Sequence, residues 1–184
     1  EHEPSQARLF LRAHGASMMV GLAFLIGFAI RVQWYAVPSM NAFGTGNWDM
    51  TGGSDPWYMK RVVDYILANN AHLVVDADRF YPVGGINPRP PLFSWSMAIG
   101  AMALEPFLNN PEDAVWWSML GLPAVYGALT VFPIASMAKD HFGKGAGVLA
   151  AWLIAFMPAH VTHSTWALAD HDSFVMLFIS VGFM

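Results

Sequence analysis

The chain has 184 residues, is 55% hydrophobic and only 12% charged, and carries a net charge of −4 and no cysteine. A soluble domain has about 25% charged residues, so the composition excludes one and favours an all-α, polytopic membrane protein whose 8 Trp and 13 Phe suit interfacial aromatic belts. The cysteine count excludes disulfides and thiolate metal sites, and the mild acidity offers no basic face for nucleic acid.

Taken in chain order, a polar start holding Arg8 and Arg12 precedes a first apolar segment over about 15–37, long enough for a span of about 20 residues. A cleaved signal peptide has a shorter apolar core and a small-x-small cleavage site, which this stretch lacks. Gln33-Trp34-Tyr35 reads as an interfacial belt, and Arg8 and Arg12 place the N-terminus in the cytoplasm by the positive-inside rule. A first external loop follows over about 38–113, with most of the charges, the pairs Gly52-Gly53 and Gly84-Gly85, and prolines at 88, 90 and 91. Within it, Asp55-Pro56 predicts a helix start with Asp as the N-cap, running to a stop near Asn69-Asn70. A second helix is expected over about 91–105, too short to span.

A second membrane helix is expected over about 114–138, with Pro123 and Pro133 accommodated by neighbouring helices. A cytoplasmic loop at 139–144 carries Lys139 and Lys144. The third membrane helix is expected over about 145–161, rich in small residues for close packing. A second external loop follows over about 162–172, then a fourth membrane helix from 173, cut short at Met184. Beginning at Glu1 and stopping inside an apolar run, the chain is expected to be an N-terminal fragment of a longer protein.

Only five residues from Ala114 to Met184 carry a formal charge; three, Lys139, Asp140 and Lys144, share one loop, and the other two are Asp170 and Asp172. Carboxylates set between apolar runs are functional candidates by default. In an extended segment the i, i+2 pair projects to one side and can close on a hard cation with oxygen ligands. The competing reading is that Asp172 or Ser173 caps the following helix. Loop parity bears on this choice. If residues 92–104 do not span, the dilysine loop is cytoplasmic and Asp55 shares the outer face with Asp170 and Asp172. Three carboxylates at two helix starts then make a candidate cation site able to polarise a phosphate-type leaving group.

Three motifs now bring in a family. Gly53-Ser54-Asp55-Pro56-Trp57-Tyr58 with Arg61 is similar to an acidic first-loop motif. Arg79-Phe80-Tyr81-Pro82-Val83-Gly84 with Asn87-Pro88-Arg89-Pro90-Pro91 resembles archaeal members. Gly145-Ala146-Gly147-Val148-Leu149-Ala150-Ala151, leading through Pro158 and Ser164 to Asp170-His171-Asp172, resembles a third membrane helix and a D-x-D-type motif. Together they resemble the N-terminal part of the catalytic subunit of oligosaccharyltransferase, the AglB/PglB-type glycosyltransferases with a GT-C-type transmembrane domain. The resemblance implies a multi-pass cell-membrane enzyme with its active site on the extracytoplasmic face. It implies transfer of an oligosaccharide from a dolichol-phosphate or pyrophosphate donor to the Asn amide of Asn-x-Ser/Thr acceptors. It further implies a Mn²⁺ or Mg²⁺ ion at Asp55, Asp170 and Asp172, Asp55 in contact with the acceptor amide, and a single-subunit enzyme. His163 stands where many relatives carry Arg.

Several residues stay open. Arg31 either snorkels to the outer interface or meets donor phosphate, and Arg89 is either a loop anchor or a donor contact. His160, His163 and His171 read as solvated loop residues, and Trp116 and Trp117 as belt residues. Two other functions compete: a protein O-mannosyltransferase type of GT-C enzyme, which carries adjacent acids where this chain has Asp55 alone, and an ion-coupled transporter, which needs carboxylates near the bilayer midplane rather than at helix ends.

Overall fold

A computed structural model describes residues 6–33 and 48–184. Trp34 and Tyr35 of the expected belt lie outside the described residues, as do the side chains of Arg8 and Arg12. The described elements are almost all helical. They are α1 Gln6–Gln33, α2 Ser54–Asn69, α3 Pro91–Leu104, a 3-10 turn Glu105–Phe107, α4 Pro111–Leu129, α5 Val131–Phe142, α6 Lys144–Phe156, α7 Pro158–Thr162 and α8 Asp172–Gly182. Two short antiparallel strands, β1 Val75–Asp76 and β2 Gly85–Ile86, pair Val75 with Ile86 and Asp76 with Gly85. Among the described residues, two helical runs, Ala13–Gln33 and Pro111–Phe142, are long and apolar enough to cross a membrane.

Prolines set the breaks that the sequence reading smoothed over. The second apolar run is helical from Pro111 to Phe142 and interrupted only at Thr130. Pro133 lacks an N–H, and its ring crowds the carbonyl four residues earlier, at Leu129. Residues 139–142, expected as loop, form the last turn of α5, and the reversal is left to Gly143 with φ 89°. The expected single helix over 145–161 is broken at Met157. That residue is extended (ψ 114°) because it precedes Pro158, and Pro158 then starts α7.

The chain divides into two compact units. The first comprises residues 1–34, 124–165 and 172–184. Its core is Ala23, Val131, Ala135, Ala151, Ile154 and Ala155, with Val20, Phe24, Ile134 and Trp152 against it. Small residues let backbones approach: a Cβ on Gly147 would lie 2.8 Å from the Ala135 carbonyl oxygen. Around Met18, Met19, Leu22 and Leu25, α1 is exposed and apolar, as a lipid-facing surface requires. Arg31 departs from the snorkelling expectation. It is 0% exposed, and its Nε donates to Ser164 Oγ at 2.8 Å while Nη1 donates to the carbonyls of Gly27 (2.8 Å) and Ala155 (3.3 Å). So enclosed, it is not placed to meet a donor phosphate. His160 is also buried rather than solvated, its Nε2 3.0 Å from the Gly127 carbonyl. His163 is exposed, as expected, and its Nδ1 lies 2.9 Å from the Ala159 carbonyl.

The second unit comprises residues 35–123 and 166–171. Helix α2 buries Met59, Val62, Val63 and Ile66, the i, i+3, i+4, i+7 stripe of an amphipathic helix. Asn70 in the left-handed region (φ 51°) ends α2, in agreement with the stop signal. Ser94 Oγ donates to Met59 Sδ at 3.1 Å and Ser118 Oγ to the Met97 carbonyl at 2.6 Å, joining α3 to α2 and α4. Trp116 and Trp117 pack on other tryptophans. Trp116 stacks on Trp48 and meets Trp57 edge-on, Trp117 meets Trp166 edge-on, and Trp116 is buried.

Candidate metal centre

The site residues of the second unit are held by backbone contacts whose geometry the sequence does not announce. Thr51 N–H donates to the Ala167 carbonyl and Ala167 N–H to the Leu120 carbonyl, both at 2.9 Å, pinning the 166–171 segment between the approach to α2 and the α4 helix. Gly52, at φ 94°, passes so close to Leu168 that a Cβ would overlap its side chain. Ala169 is fully buried, and Asp170 N–H donates to the Leu168 carbonyl at 2.8 Å, turning the chain at Asp170.

Asp55 lies in the first turn of α2, but it is not the cap. The N-cap is Gly53, with no side-chain cap bond. The Asp55 carboxylate instead meets Arg89, Nη2 to Oδ2 at 2.6 Å. Arg89 is fixed from behind by Asn87. The buried Asn87 amide donates to the Leu73 carbonyl at 2.9 Å, and Asn87 Oδ1 accepts from Arg89 N–H at 3.0 Å. Pro90 and Pro91 then lead into α3. The same guanidinium faces the second acid, Nη1 to Asp170 Oδ1 at 3.7 Å. Arg89 thus has both candidate acids as its partners.

His171 is part of this network rather than a solvated bystander. Asp170 Oδ1 accepts from His171 N–H at 2.8 Å and lies 2.6 Å from Nδ1. That short contact puts a proton on Nδ1, so Nδ1 has no lone pair for Arg89 Nη1, 3.3 Å away. In the neutral ring, Nε2 remains the nitrogen able to ligate. Asp172 opens α8, where its charge complements the helix start. Ser173 does not cap, since its buried hydroxyl has no partner among the described residues. The tripeptide is not extended, as the i, i+2 argument assumed; it turns. Asp170, His171 and Asp172 consequently each offer one ligand atom, all within 4.8 Å of one another. Carboxylate oxygens with one imidazole suit Mg²⁺, Mn²⁺ or Zn²⁺, so the donor set of this turn fits a divalent cation.

A further ionic anchor went unread in the sequence. Arg61 binds Asp76 in a fork, Nε–Oδ2 at 3.0 Å and Nη2–Oδ1 at 2.8 Å, and reaches Asp78 at 2.6 Å. These bonds hold the Asp76 carboxyl below the usual carboxylate range and raise the Arg61 guanidinium. They tie α2 to β1 and hence to the loop that delivers Arg89. The signal was Arg61 on the polar side of α2, but its partner fifteen positions on had no spacing rule to reveal it.

Comparison with known proteins places this geometry in context. The family described as "Oligosaccharyl transferase STT3, N-terminal" matches residues 22–184. The dolichyl-phosphooligosaccharide-protein glycotransferase 3 of Archaeoglobus fulgidus is 29% identical over 122 residues, covering 65% of this chain and 14% of the relative. A structure of the archaeal oligosaccharyltransferase AglB from A. fulgidus, in complex with an inhibitory peptide and a dolichol-phosphate, superposes with a TM-score of 0.76 at 22% identity. It covers 92% of this chain and 19% of that one. The A. fulgidus oligosaccharyltransferase in complex with Zn and sulfate gives a TM-score of 0.73 at 23% identity, over 88% of this chain and 20% of that one.

Proposed function

Because the chain belongs to the oligosaccharyl transferase STT3 family, matching its N-terminal region, we propose that the full-length protein transfers an oligosaccharide from a dolichol-linked phosphate or pyrophosphate to the side-chain amide of Asn in Asn-x-Ser/Thr. The chain spans 14% of the A. fulgidus glycotransferase it matches, so the activity is one the whole protein would carry. The observation supporting a reactive centre here is the gathering of Asp55 and Asp170, each distant from Arg89 along the chain, around that single guanidinium. Neither the O-mannosyltransferase nor the transporter alternative has a comparable observation behind it.

Asp55, Asp170 and Asp172 would hold a Mn²⁺ or Mg²⁺ ion, with His171 beside them. The A. fulgidus structure containing Zn and sulfate supports a cation in this fold. When bound, the ion supplies charge neutralisation for a departing lipid phosphate. The chain's own part is positioning. Helix α2 presents Asp55 toward the acceptor amide, and the 166–171 segment fixes Asp170 beside it. The site lies on the extracytoplasmic face of a multi-pass cell-membrane protein, and the enzyme acts as a single subunit. The dolichol-phosphate and inhibitory peptide in the AglB structure support a lipid-linked donor and a polypeptide acceptor.

The test is transfer from a lipid-linked oligosaccharide to an Asn-x-Thr peptide by the purified full-length protein. Chelation should stop transfer and Mn²⁺ restore it, and Asp55→Ala should abolish it. Undiminished transfer by Asp55→Ala rejects the role given to that carboxylate.

A further inference from the structure

The proposed metal acids already have a cation of their own. Arg89 Nη2 lies 2.6 Å from Asp55 and Nη1 lies 3.7 Å from Asp170. Two carboxylates sharing a site repel each other unless a positive charge sits between them, and a guanidinium offers a rigid fork that can serve two acceptors at once. This one is also not free to wander. Its side chain is only 16% exposed, its backbone N–H is held by the buried Asn87, and prolines stand on both sides at 88 and 90. Asp55, by contrast, is 52% exposed and Asp170 23% exposed, so both acids remain open to an incoming ion.

Resting on the metal reading above, we propose that Arg89 is an internal counter-ion that holds Asp55 and Asp170 together without a metal and competes with a divalent cation for the same two carboxylates. The consequence is a site that stays assembled when metal-free and binds metal more weakly than its acids alone would. A divalent ion entering between the acids meets the guanidinium charge and must take over oxygens that Arg89 now occupies. Removing the charge while keeping bulk therefore moves two properties in opposite directions. The metal-free protein becomes less stable, because the two carboxylates face each other uncompensated, and the metal binds more tightly.

The experiment uses the full-length protein in detergent. Mn²⁺ affinity is read by the loss of the free-ion paramagnetic signal, and thermal unfolding is followed with and without Mn²⁺. Arg89→Met and Arg89→Gln are the neutral variants, chosen so that a folding failure in one leaves the other; Arg89→Lys keeps the charge. The expected result is Mn²⁺ bound at least about tenfold more tightly by a neutral variant, as removal of a nearby like charge requires. A lower metal-free melting temperature that Mn²⁺ restores should accompany it, with Arg89→Lys close to the native protein in affinity. Mn²⁺ binding by the native protein but no tighter binding by the neutral variants overturns the counter-ion role and leaves the metal reading standing. No Mn²⁺ binding by the native protein or by either neutral variant overturns both.

Discussion

Asp76 shows how much of the segment between α2 and α3 hangs on one carboxylate. It is 2% exposed, and its two oxygens are taken by the Arg61 fork and by the Asp78 backbone N–H at 3.1 Å. Its folded-state pKa is depressed, chiefly by the hydrogen bonds from Arg61. A depressed carboxylate stabilises the fold above the pKa of the unfolded side chain, about 3.9, and that contribution is lost as pH falls through the lower folded value. Asp76→Asn should cost about 1.5 kcal/mol at neutral pH, the low end for hydrogen bonds to charged groups, because Arg61 is 48% exposed and screened by solvent. Thermal unfolding of native and variant protein from neutral to strongly acidic pH checks this. The gap between the two melting temperatures should close as pH falls through the depressed folded-state value, and a gap that persists in strong acid would assign the loss to packing instead. Arg31 teaches the complementary lesson. Its sequence context leaves a choice of lipid interface or donor phosphate, whereas Gly27 and Gly127 leave room for its guanidinium inside the protein.

Among the elements, α5 and α6 approach each other at the backbone itself. A Cβ on Gly147 would stand 2.8 Å from the Ala135 carbonyl oxygen and 2.8 Å from Lys139 Cβ. Backbone cannot rotate away as a side-chain tip can, so the two helices would have to separate. Gly147→Ala should lower stability by about 1–3 kcal/mol, as overpacking does, even though Ala favours a helix over Gly by about 1 kcal/mol. Gly145→Ala, whose added methyl would meet nothing within 4 Å, receives the propensity gain alone. Melting temperatures of the two variants in detergent should therefore move in opposite directions. The helices themselves were legible because apolar runs and proline punctuation are local signals: α3 comes out at Pro91–Leu104 against an expectation of about 91–105. The candidate site was legible only in part. Asp55, Asp170 and Asp172 stand out as acids near apolar runs or at helix starts. The guanidinium between two of them does not, because its contacts reach far along the chain in both directions and obey no periodicity. Nor did the spacing reveal His171, which joins the acids through a turn where an extended segment was assumed.

Across the whole molecule the decisive quantity is membrane topology, since the proposed reaction requires Asp55 and Asp170 on one face. The run Pro111–Phe142 is 32 residues long, more than the roughly 20 a bilayer needs, and its last turn carries Lys139 and Asp140. If α3 does not cross, the first external loop and the segment between Met157 and α8 lie outside and Asp140 lies inside. With no cysteine anywhere in this region, each introduced thiol is unique within it. Asn109, Asp140 and Thr162 are all exposed, so reactivity reports the side of the membrane rather than burial. In intact cells, Asn109→Cys and Thr162→Cys in the full-length protein should react with a membrane-impermeant maleimide, and Asp140→Cys should react only after permeabilisation. Labelling of Asn109→Cys and Asp140→Cys from the same side would show that the 32-residue run does not cross. Labelling of Asn109→Cys and Thr162→Cys from opposite sides would separate the two external loops and with them the acids of the proposed site.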